Sequence, residues 1–272
     1  MAPRAVRAAS GLGRRAGHRR ADGQLHRTGR RTAWWGERHG VDVSVEGLAG
    51  LPRAPVLTSG FVHVTGLKAL GMLGLGRGRL TTCADSVGAM DLAALDHELR
   101  ALDGAPAIVI GNAGEVNTGL FDPLEGIADL CDEYGAWLHV DGAFGLFARV
   151  SPRTAELAAG VERSHSLISD GHKWLNVPFD CGFAFVRDPQ LLARTFAAGA
   201  AYLPDASDDR PIFAYRAPEL SRRRARSRSG RRLPPTAAAA TGRSSSAAST
   251  TPRGSPPRSR SRKISSCWHP CR

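Results

Sequence analysis

Two short segments hold the residues best suited to covalent chemistry. One is His139-Val140-Asp141-Gly142-Ala143; the other is Asp170-Gly171-His172-Lys173-Trp174, with its amine 32 residues beyond the acid of the first. Each closes a strand-like apolar run, Ala136-Trp137-Leu138 in the first case and Ser166-Leu167-Ile168 in the second. A primary amine condenses with an aldehyde to give a Schiff base, and a carboxylate beside a pyridine nitrogen keeps that nitrogen protonated. Strands that bring one of each to a common edge meet the needs of pyridoxal phosphate chemistry. Lysine is scarce, with Lys68, Lys173 and Lys263 set against 34 arginines. Scarcity suits a position that arginine cannot fill, because a guanidinium stays protonated whereas a desolvated ammonium can lose its proton.

The elements that must position this pair read as an alternating α/β domain from residue 33. Pro55-Val56-Leu57-Thr58 is a short strand, followed by a helix from Leu67 to Leu73. Asp91 can cap a helix that places Leu92, Leu95, Leu99 and Leu102 on one face. Ala107-Ile108-Val109-Ile110 is a buried strand between Gly104 and Gly111. Asp122-Pro123 then opens a helix carrying Leu124, Ile127, Leu130 and Cys131, with Gly135 just past its end. Strands at 136–140, 166–169 and 182–186 follow. This order predicts a mostly parallel sheet flanked by helices, in which ligands sit beyond the carboxyl ends of the strands. Asn112, Asp141 and Asp170 all fall just after predicted strand ends and should converge on one rim.

Charge divides the 272 residues into three parts. The net value of +12 comes from the ends: residues 1–32 and 216–272 hold 24 of the 37 basic groups and 2 of the 25 acidic ones. The middle, 33–215, is left with 13 basic and 23 acidic groups and is long enough to bury a single core. The stretch 222–262 is dominated by Arg, Ser, Pro and Ala, a composition expected to remain disordered, as is the basic segment 1–32. Arg-rich tails can bind nucleic acid without sequence preference. The abrupt loss of acidic residues at both ends is also what out-of-frame translation of a GC-rich coding sequence would give. No apolar run reaches membrane-spanning length, and the N-terminus lacks the apolar stretch of a secretory signal. Cys83, Cys131 and Cys181 are scattered without metal-ligand spacing and read as reduced packing residues of a cytoplasmic protein.

Several separated blocks, in order, resemble the group II pyridoxal phosphate-dependent amino acid decarboxylases, a family that includes aromatic amino acid and glutamate decarboxylases. The blocks are Val62-His63-Val64-Thr65 with Lys68 to Gly76 after it, Asn112 to Gly119 running into Phe121-Asp122-Pro123, and the Asp141 and Lys173 segments. The resemblance covers about Trp34 to Arg223. It implies the large α/β domain of a fold-type I pyridoxal phosphate enzyme, incomplete here, that decarboxylates an L-amino acid. It also implies a homodimer, since members build each site from two subunits.

By the same resemblance, Lys173 matches the lysine that binds the cofactor aldehyde and Asp141 the carboxylate on the ring nitrogen. His63 matches the histidine stacked on the ring, and Ala143 the small residue on the opposite face. His172 would contact the cofactor phosphate or the substrate carboxylate, Asn112 would lie near the ring, and Tyr215 is the candidate proton donor. A related aldehyde lyase would share the acid and the amine; the Asn112–Pro123 block and the run from His172 to Asn176 favour the decarboxylase.

Three departures accompany these matches. The family's Gly/Ser-rich turn for the cofactor phosphate has no counterpart in Ala8 to Arg14, Asp170 stands where the family often has Asn, and the small C-terminal domain is not matched. Losing two or three charge-assisted hydrogen bonds to phosphate costs roughly 3–6 kcal/mol. Weak cofactor binding and low turnover are therefore expected. An inactive fragment, or a basic nucleic-acid-associated protein with a degenerate core, is the alternative reading.

Overall fold

A computed structural model describes residues 13–17, 31–179 and 181–196. Its centre is a seven-stranded sheet of order β1-β7-β6-β5-β4-β2-β3. The strands are β1 (Gly13–Gly17), β2 (Val56–Thr58), β3 (Thr81–Thr82), β4 (Ile108–Asn112), β5 (Trp137–Asp141), β6 (Ser166–Asp170) and β7 (Gly182–Val186). β3, β2, β4, β5 and β6 run parallel, whereas β7 is antiparallel to β6 and β1 antiparallel to β7. The mostly parallel sheet read from the sequence is thus present, with an antiparallel margin.

Every residue of β4 and β6 is buried, as are the first four of β5. Continuous apolar runs arise because helices cover both faces of these central strands. On one face lie α4 (Leu92–Ala101) and α5 (Leu124–Glu133), whose Leu95, Leu99, Leu124 and Ile127 pack on Val109, Leu138, Val140 and Leu167. The other face carries α1 (residues 31–38), α3 (Val64–Met72) and α6 (Pro189–Phe196). Trp35, Leu70 and Leu191 from these helices meet Val56, Ile108, Ile110 and Trp137. The short α2 (Val43–Glu46) lies between α1 and β2.

Local chemistry sets the element ends. Asp91 caps α4 by accepting from the backbone of Ala93 and Ala94, as its position predicts. α3 begins three residues earlier than expected, because His63 acts as its cap: imidazole Nδ1 accepts from Thr65 N at 3.2 Å. Pro123 holds the cap position of α5 without a side-chain hydrogen bond, and the carboxylate of Asp122 is used elsewhere. β4 and β6 run to Asn112 and Asp170, so these residues end strands rather than follow them. Cys83, Cys131 and Cys181 are buried thiols outside any disulfide among the described residues, and burial pushes those of Cys83 and Cys131 up to about 11 and 12.

Candidate active site

Strand order reverses between β2 and β4: the chain moves outward from β2 to β3, then returns past β2 to build β4, β5 and β6. Loops leaving the carboxyl ends of β2 and β4 therefore diverge, and a crevice opens between them. A cavity of about 390 Å³ lies there, within the range of small-molecule sites. Phe61 and His63 line it after β2, Asn112 and Glu115 at and beyond the end of β4, and Asp141 and Phe144 at and beyond the end of β5.

The strand register puts the polar residues on one face. Asn112 pairs with Asp141, and Asp141 with Ile168, two residues before Asp170. In adjacent parallel strands, register partners point the same way, as do residues two apart. The sequence-predicted convergence of Asn112, Asp141 and Asp170 on one rim is therefore what the fold delivers.

Asp141 is half-buried at the end of β5, where its Oδ1 accepts from Ala143 N at 3.1 Å. The turn after it is tight: a Cβ on Gly142 would lie 2.8 Å from the carbonyl oxygen of Ile168. Gly145 is tighter still, with Ala113 O only 2.4 Å from a Cβ built there. These contacts explain the two glycines around Ala143-Phe144 and fix where the Asp141 carboxylate stands. Ala143 is buried.

Asn112 is occupied structurally. Its amide donates to Ser59 Oγ at 2.9 Å and to Phe61 O at 2.7 Å, drawing the β2 loop onto β4. Its backbone N–H donates to Asp122 Oδ2 at 2.6 Å, while Asp122 Oδ1 accepts from Met90 N at 2.8 Å. Asp122 thus joins three segments under the cavity wall, and burial raises its carboxyl above the ordinary range despite these bonds. In the sequence Asp122 reads as a helix start and as part of a family-like block, but not as this joint.

Lys173 lies in the loop between β6 and β7. Its Nζ is 3.2 Å from Asp170 Oδ2 and 3.5 Å from the centroid of the Phe144 ring. Phe144 lines the cavity and Lys173 does not, so the amine stands at the cavity's edge across that ring. Phe144 was missed in the sequence, although its place three residues after Asp141 was a usable signal. His172 packs on Phe179, with ring centroids 4.4 Å apart, and its Nδ1 is 2.9 Å from Cys181 O and 3.1 Å from Cys181 N. Its Nε2 lies 3.7 Å from Asp170 Oδ2. As it stands the imidazole ties its end of the loop to Cys181, the residue before β7. Tyr215 lies outside the described residues.

One further charge belongs to this face. Arg31, at the start of the described part of α1, is 2% exposed. Burial pushes its guanidinium down to about 9, and the charge of Asp141 acts in the opposite sense. A larger hollow of about 700 Å³ beside α1 and α6 is chemically quieter: its Glu37 and Arg194 pair with each other at 3.1 Å.

The residues present suit a pyridoxal cofactor. A strand-fixed carboxylate for a ring nitrogen and an imidazole wall share a cavity of fitting size, with a primary amine at its edge.

Comparison with known proteins agrees with this chemistry. The profile described as the pyridoxal-dependent decarboxylase conserved domain matches residues 51–227, well over half of the chain. This chain belongs to that family of pyridoxal-dependent decarboxylases. It is 35% identical over 171 residues to the acidic amino acid decarboxylase GADL1 of Mus musculus, a match covering 61% of this chain and 31% of that protein. It is 41% identical over 101 residues to the aromatic-L-amino-acid decarboxylase of Bacillus atrophaeus, covering 37% and 21% respectively. Among solved structures, mouse CSAD aligns with a TM-score of 0.69 at 25% identity, over 81% of this chain and 46% of that one. Oryza sativa TDC with PLP and tryptamine gives 0.67 at 25% identity, over 77% and 43%. The chain thus spans about a third or less of the length of these curated relatives.

Proposed function

We propose that this chain performs pyridoxal phosphate-dependent decarboxylation of an L-amino acid, with Lys173 as the amine that takes up the cofactor aldehyde. Asp141 would pair with the ring nitrogen, His63 and Ala143 would bound the ring's two faces, and His172 would meet an anionic group of the cofactor or substrate. Bound there, the cofactor supplies an electron sink for the charge left when carbon dioxide departs. The observation that supports this best is the joint placement of Asp141 and His63 on one cavity with Lys173 across Phe144. Asp141 holds its charge at a point fixed by strand and turn, so little reorganisation is needed as charge develops. Lys173 must leave Asp170 before its lone pair can attack. Tyr215 is the proposed donor of the proton that replaces the carboxyl group. Assembly as a homodimer in the cytoplasm completes the reading.

Borohydride reduction of the chain incubated with pyridoxal phosphate, followed by peptide mapping, tests it directly. A pyridoxyl group on Lys173 that disappears in K173A is expected, with carbon dioxide release from an L-amino acid abolished in the same variant. A label spread over other amines, or none, would overturn the assignment and favour an inactive piece of the fold. Salt-sensitive binding of random DNA that survives deletion of 33–215 would favour the nucleic-acid alternative.

A further inference from the structure

Arg31 carries the strongest unexplained signal in the molecule. It is 2% exposed, its Nε has no hydrogen-bond partner among the described residues, and it belongs to none of the ion pairs among them. A buried guanidinium whose Nε lacks a partner among the described residues is costly, so the group calls for an acceptor to complete it. Its position indicates what that is. The Trp34 ring of α1 packs against Trp137, the first residue of β5, with centroids 5.6 Å apart. Three residues earlier on the same helix, Arg31 senses Asp141, the last residue of β5. α1 therefore covers the face of β5 that carries both Trp137 and Asp141, with Arg31 one turn before Trp34 and within electrostatic reach of Asp141.

Arg31 and Asp141 form no ion pair with each other among the described residues. They stand instead as separated charges of opposite sign at one rim, a layout matched by a ligand with a cationic ring nitrogen and an anionic oxygen group. We infer that Arg31 is the receptor for an anionic oxygen group, the cofactor's phosphate or the substrate's carboxylate, bound beside Asp141. A planar, permanently charged fork suits either oxyanion. The assignment rests on the proposed function for the ligand's identity, though not on Lys173.

The test compares the full chain with R31M, using inorganic phosphate, acetate, pyridoxal phosphate and pyridoxal as probes. Met fills similar volume without charge, so R31M without ligand should melt at a higher temperature than the parent. Phosphate should raise the melting temperature of the parent only, and pyridoxal phosphate should bind R31M about ten- to a hundredfold more weakly. Pyridoxal, which lacks the phosphate, should bind both alike. If the carboxylate is the occupant, acetate rather than phosphate stabilises the parent alone, and both cofactor forms bind the two proteins equally. Either pattern supports the oxyanion site. No anion telling the two proteins apart, or tighter cofactor binding by R31M, would overturn it and make Arg31 a counter-charge to Asp141. Should R31M not fold, R31K is read instead: it should lose several-fold in affinity for the same anion, and unchanged affinity would overturn the inference. Trapping at Lys173 without anion discrimination would end this inference and leave the proposed function standing; discrimination without trapping would do the reverse.

Discussion

The carboxylate of Asp141 and the amine of Lys173 reach the same rim on unlike supports. Asp141 ends a strand buried between two neighbours, followed by a turn that admits no Cβ at Gly142, and the adjoining wall is tied down through Asn112 and Asp122. Lys173 sits three residues beyond its strand, in a loop held by an ion pair to Asp170, a ring contact to Phe144 and the His172 link to Cys181. The acid is thus set by backbone geometry, and the amine by side-chain contacts that can be exchanged. For the proposed reaction that division is sensible, because the acid must hold still while the amine changes partners.

The sharpest way to break this contrast is at Asp141. D141N keeps the shape and removes the charge, and carbon dioxide release should fall by about 10²–10³-fold while borohydride still labels Lys173. A parallel loss of labelling would mean that acid and amine are not separable. Next in size is the support under the fixed wall: D122A leaves the N–H groups of Met90 and Asn112 without their acceptor and should cost about 2–4 kcal/mol in denaturant unfolding. A smaller change would show that the wall does not depend on this joint.

Acid should weaken the strand side selectively. His165 stacks on Trp137 at 5.0 Å, accepts from Leu138 N at 3.0 Å, and is held down to about 4, chiefly by burial and then by the charge of Arg187. The unfolded chain takes up this proton near pH 6.5 and the folded one only near 4. Stability from His165 is therefore complete above about pH 6.5 and is lost as pH falls toward 4, by on the order of 2–3 kcal/mol. Melting temperature followed across this range should slope in the parent and flatten in H165Q. The smallest effects belong to the adjustable side. D170N should speed borohydride-trappable labelling of Lys173 several-fold, and F144L should weaken retention of the amine at the cavity edge by about 1 kcal/mol.

Much of this was legible in the residues because the fold depends on short-range rules. Leu92, Leu95, Leu99 and Leu102 gave α4 and Asp91 its cap, while the apolar run Ile108-Val109-Ile110 gave a central strand. What escaped was long-range. Nothing local marks Asp122 as a joint to Met90 and Asn112, since its neighbour Pro123 points to a helix start. His63 was read for its ring face alone, and its capping role was missed because Ser, Thr, Asp and Asn dominate that position. Phe144 acquires meaning only once Lys173 is folded over it. Arg31, one of nine arginines in a basic segment, is distinguished by its burial and by nothing in its sequence context.

The cap at His63 carries a consequence for how the cavity comes into being. With Nδ1 engaged by the first turn of α3, the tilt of that imidazole is decided where the helix nucleates. Until α3 has wound, the crevice lacks one of its sides; once it has, the ring is already in place for a flat guest.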